Sequence, residues 1–209
     1  MKIISHRGLW LNEFEKNSAK SFERSFQEGF GTETDVRDLA GRLVVSHDMP
    51  LGGEVELSHF LSLASSHQLA EQPALALNIK SDGLASALDA ELVNYPELDV
   101  FVFDMSVPDM RSYFNAGFKV FTRMSEVEMD AAWLEKSSGV WLDSFDSDWF
   151  SSDLIIELLD LGKRVCLVSP ELHGRDHLGL WDKILSLRGN ERLILCTDYP
   201  IQAKSFFGL

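Results

Sequence analysis

Glu33 and Asp35 stand two residues apart in a run with strand character, Thr32 to Val36. Side chains at i and i+2 of a strand project to one face. Two carboxylates held that close repel and raise each other's pKa unless positive charge sits between them. Gly41 marks a turn, and a second short apolar run, Leu43-Val44-Val45, ends at Ser46-His47-Asp48. An imidazole therefore reaches a strand end one chain reversal after a potential cation site. Another strand-end histidine comes first, in Ile3-Ile4-Ser5-His6-Arg7-Gly8. Two carboxylates, two histidines and an arginine at strand termini are the groups that metal-assisted phosphoryl chemistry requires.

The elements that must position these groups follow a regular rhythm. Strand character recurs at Lys2–Ser5, Gly31–Val36, Ala74–Ile79, Val100–Phe103, Lys119–Thr122, Val140–Leu142, Arg164–Val168 and Leu193–Cys196, with Leu43–Val45 as an accessory run. Helical patterns lie between them, at Ser18–Glu28, Leu57–His67, Leu84–Val93, Asp109–Phe114, Glu126–Leu134, Ser152–Leu161, Leu178–Leu187 and Ile201–Phe207. Phe22 and Phe26 share one face of the first and Gly29 ends it, while Ser81-Asp82-Gly83 offers an N-cap for the third. Strands alternating with helices at this spacing imply parallel pairing through right-handed crossovers. Eight such units close a (β/α)8 barrel, a TIM barrel, more naturally than they fill an open sheet. No linker or low-complexity tract divides the chain, so residues 1–209 read as a single domain.

Barrels of this kind present their reactive groups at the C-terminal strand ends. Read strand by strand, those ends supply His6 and Arg7, Glu33 and Asp35, Asn78 and Lys80, then Asp104. The later strands add Arg123, Asp143, Glu171 with His173, and Asp198. A mouth this rich in ionisable groups is hard to explain as packing. The plainer readings are that Glu33 and Asp35 pair with Arg7 or Arg37, that His6 and His47 are hydrogen-bonded core residues, and that Arg123 pairs with Glu126. His59 and His67 fall on a helix and read as surface residues. Trp141, Trp149 and Trp181 could stack on a sugar or line an apolar chain, although such residues more often fill cores.

Composition narrows the partners. A formal net charge of −14 argues against nucleic acid and against unspecific attraction to anionic membranes. With 45% hydrophobic and 25% charged residues, the chain has the make-up of a soluble globular protein. No apolar run approaches the ~20 residues that span a bilayer, and His6 comes too early for a secretory leader, so a cytoplasmic setting is expected. Cys166 and Cys196 each lie in an apolar run and read as buried thiols. No Gly-rich dinucleotide or P-loop fingerprint is present. Oligomeric state is not encoded in any pattern of the sequence.

His6-Arg7-Gly8, Glu33-x-Asp35, His47-Asp48 and Thr197-Asp198-Tyr199-Pro200 together resemble the glycerophosphodiester phosphodiesterase family, within the phospholipase-C-like phosphodiesterase barrels. The similarity runs from residue 3 to about residue 200, with the four motifs in the family's order. It implies a divalent-metal phosphodiesterase acting on a small phosphodiester, with His6 and His47 as acid and base. Glu33 and Asp35 would hold Mg²⁺ or Ca²⁺, Arg7 and Lys80 would bind phosphate, and Arg123 is a further phosphate contact. Two positions depart from the family pattern. Its Pro-Glu-Asn-Thr segment is replaced by Glu15-Lys16-Asn17-Ser18, and its Glu-x-Lys on the third strand becomes Asn78-Ile79-Lys80. An amide at Asn78 still offers a metal an oxygen but leaves the site one negative charge short, which Asp104 or Glu171 would restore. The rival expectations are a phospholipase-C-like or lyase reaction that stops at a cyclic phosphate, and a barrel that binds a phosphorylated ligand without cleaving it.

Overall fold

The structure is a computed structural model and describes residues 1–67 and 72–209. Eight parallel strands form the barrel wall: β1 (Lys2–His6), β2 (Gly31–Leu39), β4 (Ala74–Ile79), β5 (Asp99–Phe103), β6 (Phe121–Met124), β7 (Gly139–Leu142), β8 (Arg164–Val168) and β9 (Leu193–Thr197). Around the wall the order is β5-β4-β2-β1-β9-β8-β7-β6. The ring is completed by a single parallel bridge between Val102 and Val120, where the Val102 N–H donates to Lys119 O at 3.0 Å. The accessory strand β3 (Arg42–Val45) folds back antiparallel on the end of β2. The architecture is the (β/α)8 barrel expected from the sequence, and all eight expected strands are present.

Alternation along each strand divides the side chains into two sets. One set faces inward, where Ile4, Ala74, Ala76, Phe101, Phe103, Phe121, Trp141, Cys166, Val168, Ile194 and Cys196 pack into one cluster. Continuing the same alternation toward the strand C-termini brings His6, Glu33, Asn78, Arg123 and Asp143 to the mouth. The middle of the barrel is thus apolar beneath a charged mouth. Gly31 and Gly139 give the interior its room: a Cβ at Gly31 would lie 2.0 Å from Ala74 O, and one at Gly139 would lie 2.5 Å from the Phe121 ring. Both cysteines are buried and free, as expected, and burial raises both thiol pKa values. The opposite end is plugged by Asp99, which takes a bidentate bond from Arg164 and ion pairs from Lys2 and Lys119.

Outward-facing residues pack beneath the helices α1 (Ala19–Gln27), α2 (Leu57–Ser66), α3 (Ala85–Leu92), α4 (Met110–Asn115), α5 (Ser152–Asp160), α6 (Leu178–Ile184) and α7 (Pro200–Phe207). Ser18 caps α1, accepting a bond from the Ser21 N–H, and the Ser21 hydroxyl accepts one back from the Ser18 N–H. Phe22 and Phe26 then meet Phe60 of α2, with ring centroids 4.8 and 5.9 Å apart. Burying each such ring contributes about 1.5–3 kcal/mol. Trp181 belongs to this helix-facing core and cannot reach a ligand.

Three local expectations are corrected. Glu126–Leu134 forms turns, with no helix. Val127 and Met129 stay exposed, and the Glu126 carboxylate accepts the N–H groups of Phe145, Asp146 and Ser147. Those bonds hold Glu126 against the next loop. The expected cap before α3 is also absent: Leu84 occupies the N-cap position without a side-chain bond. Asp82 instead accepts the Ser106 hydroxyl at 2.7 Å, and the Ser81 hydroxyl donates to Asp38. His67 is also turned inward, its Nδ1 2.8 Å from Leu63 O and its ring 5.9 Å from Phe26. Among the described residues no helix is long and apolar enough to cross a membrane.

Candidate active site

A cavity of about 360 Å³ opens at the C-terminal ends of the strands. His6, Arg7, Lys16, Glu33, His47, Asn78, Lys80, Asp104, Arg123, Trp141, Asp143, Phe145 and His173 line it. Three of its neighbourhood residues, Arg7, Asn17 and Asp104, have φ of 58°, 58° and 69°. Left-handed backbone outside glycine costs ~1–3 kcal/mol and collects at functional sites. The Arg7 turn is held on both sides, by its N–H to Glu33 O at 2.9 Å and by its carbonyl accepting the Asn17 N–H at 2.9 Å. Gly8 completes the turn, since a Cβ there would meet Ser21 Oγ at 2.4 Å.

Asp35 is fully buried and well supplied with positive neighbours. Its Oδ2 accepts the Asn17 amide at 2.9 Å and lies 3.1 Å from Arg7 Nε, while Lys80 Nζ lies 3.5 Å from Oδ1. Asn17 is held in turn by the Thr34 hydroxyl, which donates to its Oδ1 at 2.8 Å. Arg37 takes no part, because it donates to the His47 carbonyl at the rim. Glu33, on the same face of β2, is poorer in partners. Burial pushes its pKa up to about 8, helped by the Asp35 charge and opposed by Arg7 and Lys80. Asn78 is the cross-strand neighbour of Asp35. Glu33 Oε2, Asp35 Oδ1 and Asn78 Oδ1 are all buried without a hydrogen-bond partner.

Three buried acceptor oxygens on two adjacent strands, none with a hydrogen-bond donor, are of the kind a hard cation takes. The residues therefore fit a divalent metal, with an amide as the third donor. Among the described residues no cluster of three or more His, Cys, Asp or Glu side chains assembles as a metal site. Asp104 and one oxygen of Glu171 have partners of their own, while Glu171 Oε2 is buried without a hydrogen-bond partner. Asp104 pairs with Arg123 Nη1 at 2.6 Å and with Lys80 at 3.7 Å. Glu171 Oε1 accepts the Thr197 hydroxyl and the Asp198 N–H, bracing the end of β9.

That brace bears on His6. Asp198 Oδ1 lies 2.8 Å from His6 Nδ1, and donation from Nδ1–H leaves Nε2 with a lone pair facing the carboxylates. Burial lowers the His6 pKa, outweighing the raising effect of Asp198, which favours the neutral imidazole. His47 lines the same cavity from the half-exposed rim, with Nδ1 2.9 Å from Asp48 Oδ1. Lys16 sits over the Trp10 ring, 4.5 Å from its centroid, with Glu13 3.9 Å away.

The β5–β8 side carries groups only partly legible in the sequence. Arg123 pairs with Glu128 at 2.7 Å as well as with Asp104, and the expected partner Glu126 is not involved. His173 Nε2 lies 2.7 Å from Asp143 Oδ1, and that bond raises the His173 pKa despite partial burial. The Phe145 ring stands 4.9 Å from the imidazole. Phe145 was not singled out by sequence reasoning, although it continues the inward alternation Trp141, Asp143 past the strand end. Asn17 likewise showed no chemical signal of its own beyond its place in the Glu15–Ser18 segment. Trp149 donates its indole N–H to the Asp143 carbonyl at 2.7 Å and so braces this side from outside the cavity.

No family model matches the sequence, and no curated protein matches it. Solved structures do. A glycerophosphodiester phosphodiesterase from Agrobacterium tumefaciens superposes with a TM-score of 0.70 at 16% identity, covering 100% of both chains. One from Thermotoga maritima gives 0.62 at 17% identity over 97% of each chain. A glycerophosphoryl diester phosphodiesterase from Parabacteroides distasonis gives 0.63 at 15% identity, over 99% of this chain and 86% of that one. At such identities the likeness is one of fold, and the fold of this chain is the barrel of the glycerophosphodiester phosphodiesterases.

Proposed function

We propose that the chain is a metal-dependent phosphoric diester hydrolase acting on a glycerophosphodiester or a related small phosphodiester. The observation that carries this reading is the set of three buried oxygens without a hydrogen-bond partner, Glu33 Oε2, Asp35 Oδ1 and Asn78 Oδ1, beside the Asp198-bound His6. Glu33, Asp35 and Asn78 would hold Mg²⁺ or Ca²⁺, which supplies positive charge against the phosphoryl oxygens. Arg7 and Lys80, both within ion-pair distance of Asp35, bind the phosphate from the same side. His6 Nε2 takes the proton of the attacking hydroxyl, with Asp198 steadying the imidazolium that forms. His47, at the rim of the same cavity beyond β3, would return a proton to the departing alkoxide. This reading leaves Arg123, paired with Asp104 and Glu128 at the same cavity, out of the phosphate role.

The same groups serve a reaction in which a neighbouring substrate hydroxyl attacks and a cyclic phosphate is released. The products decide between the two, so the test follows them by ³¹P NMR. Bis-p-nitrophenyl phosphate and glycerophosphodiesters are offered in EDTA and then in Mg²⁺, Ca²⁺ or Mn²⁺. Metal-dependent turnover that falls ~10²–10⁴-fold in His6→Ala supports the reading. Binding of the diester with no cleavage at any metal concentration replaces it with a binding barrel.

A further inference from the structure

The cavity has two chemically different halves. Cations and orphaned oxygens stand on the β1, β2 and β4 side. On the β5–β8 side two carboxylates each hold one donor: Asp104 binds Arg123 Nη1 at 2.6 Å, and Asp143 binds His173 Nε2 at 2.7 Å. Two aromatic residues accompany them. Trp141 is the cross-strand neighbour of Arg123, and the Phe145 ring lies 4.9 Å from that of His173. The proposed phosphoryl chemistry uses none of these six residues, yet all of them line the cavity.

We propose that this half is the alcohol subsite and that it is built for a hydroxylated ring, a sugar or cyclitol, esterified to the phosphate. The proposal rests on the diesterase reading and deepens it. A ring hydroxyl both donates and accepts, so it fits where a donor and a carboxylate stand side by side. Both Asp–donor pairs offer that arrangement. Arg123 Nη2 and His173 Nδ1 are engaged by no other described residue, and charge-assisted bonds from such donors are the strong ones. Phe145 and the edge of Trp141 offer apolar surface to the C–H face of a ring.

The donors are also fixed before any ligand arrives. Arg123 is anchored at Nε by Glu128, and Asp143 Oδ1 accepts the Ser144 N–H at 2.8 Å as well as His173. Trp141 is stacked on Phe103 at 3.9 Å. Side chains locked by such bonds bind without a large ordering cost. An alkyl chain in the same place would leave both donors unsatisfied.

The test compares glycerol 3-phosphate diesters of glucose and of cyclohexanol, equal in ring size and different in hydroxyls. In the unmodified protein kcat/KM for the glucosyl diester exceeds that for the cyclohexyl diester by ~10-fold or more, and in His173→Ala this ratio falls about tenfold. Asp143→Asn, which keeps the side-chain volume, lowers the ratio in the same direction, with melting temperatures checking that both variants fold. Equal kcat/KM for the two diesters in the unmodified protein, or an unaltered ratio in both variants, overturns the subsite. Calorimetric binding separates this proposal from the reading beneath it. If neither diester is cleaved but the glucosyl one binds more tightly, the hydrolase reading fails and the subsite stands. No preference in either cleavage or binding removes the subsite.

Discussion

Glu33 Oε2 lies 3.9 Å from His6 Nε2, within ion-pair reach and too far for a hydrogen bond, and Glu33 Oε2 has no other partner. An acceptor and a basic nitrogen are thus held facing a common space that neither fills. Without a cation, burial keeps the Glu33 pKa at about 8, so the folded protein binds a proton there that the unfolded chain releases near its ordinary 4.5. Stability from this group is therefore present below about pH 4.5 and is lost as the pH rises toward 8. In EDTA the melting temperature should fall over that window, and Glu33→Gln should flatten the fall. Mg²⁺ or Ca²⁺ should raise the melting temperature at pH 8 in the unmodified protein more than in Glu33→Gln, because the cation takes the place of the proton. A melting temperature indifferent to metal at pH 8 would count against the trio.

Asp198 orients His6, the base of the proposed mechanism, and is itself braced by Glu171. Asp198→Asn leaves the shape intact but no longer fixes the hydrogen on Nδ1, so kcat should drop ~10²-fold or more with KM little changed. Glu171→Gln should act more weakly in the same direction, since its amide oxygen can still accept the Asp198 N–H. If Glu171→Gln changes the melting temperature alone, Glu171 supports only the fold.

The plug at the closed end titrates separately from the mouth. Burial pushes the Asp99 carboxyl up, but Arg164, Lys119 and Lys2 outweigh it and hold the pKa well below the usual range. The stability this cluster supplies is complete above the unfolded value near ~4 and is lost as the pH falls below it. Asp99→Asn should cost roughly 2–3 kcal/mol at pH 7, less than a fully buried pair because Lys119 is half exposed. Urea denaturation at pH 7 and pH 2.5 measures both effects, and the variant's stability should change less between the two.

Gly31 allows β2 and β4 to approach, which sets Asp35 opposite Asn78. A methyl group there would overlap Ala74 O at 2.0 Å. Gly31→Ala should therefore cost ~3 kcal/mol and weaken metal binding together with stability. Gly41→Ala, at an open turn where φ is 82°, should cost less and leave metal binding alone.

The barrel was legible in the sequence because each strand carries a clear punctuated apolar run, and alternation alone sends His6, Glu33 and Asn78 inward. Glu126–Leu134 misled because its composition is helical, whereas its fold is decided by Glu126 reaching the Phe145–Ser147 amides. Such side-chain-to-backbone capture leaves no periodic trace. The motif residues could be placed at strand ends, but their pairings could not. That Asn17 bridges Thr34 and Asp35, or that one oxygen of Glu171 accepts the Asp198 N–H, depends on loop geometry no spacing reveals.

The β5–β6 joint has a consequence of its own. Backbone pairing there is a single bridge, while the Asp104–Arg123 pair above, the stacked Phe101 and Phe121 rings within and the Lys119–Asp99 pair below do the rest of the stitching. The wall bearing His6, Glu33 and Asn78 is one unbroken ladder; the wall facing it is closed largely by side chains. Substitutions at the joint should change the width of the β5–β8 half of the mouth more than that of the half carrying His6 and Glu33. A lineage of such barrels could exchange one alcohol for another while its phosphoryl chemistry stayed in register.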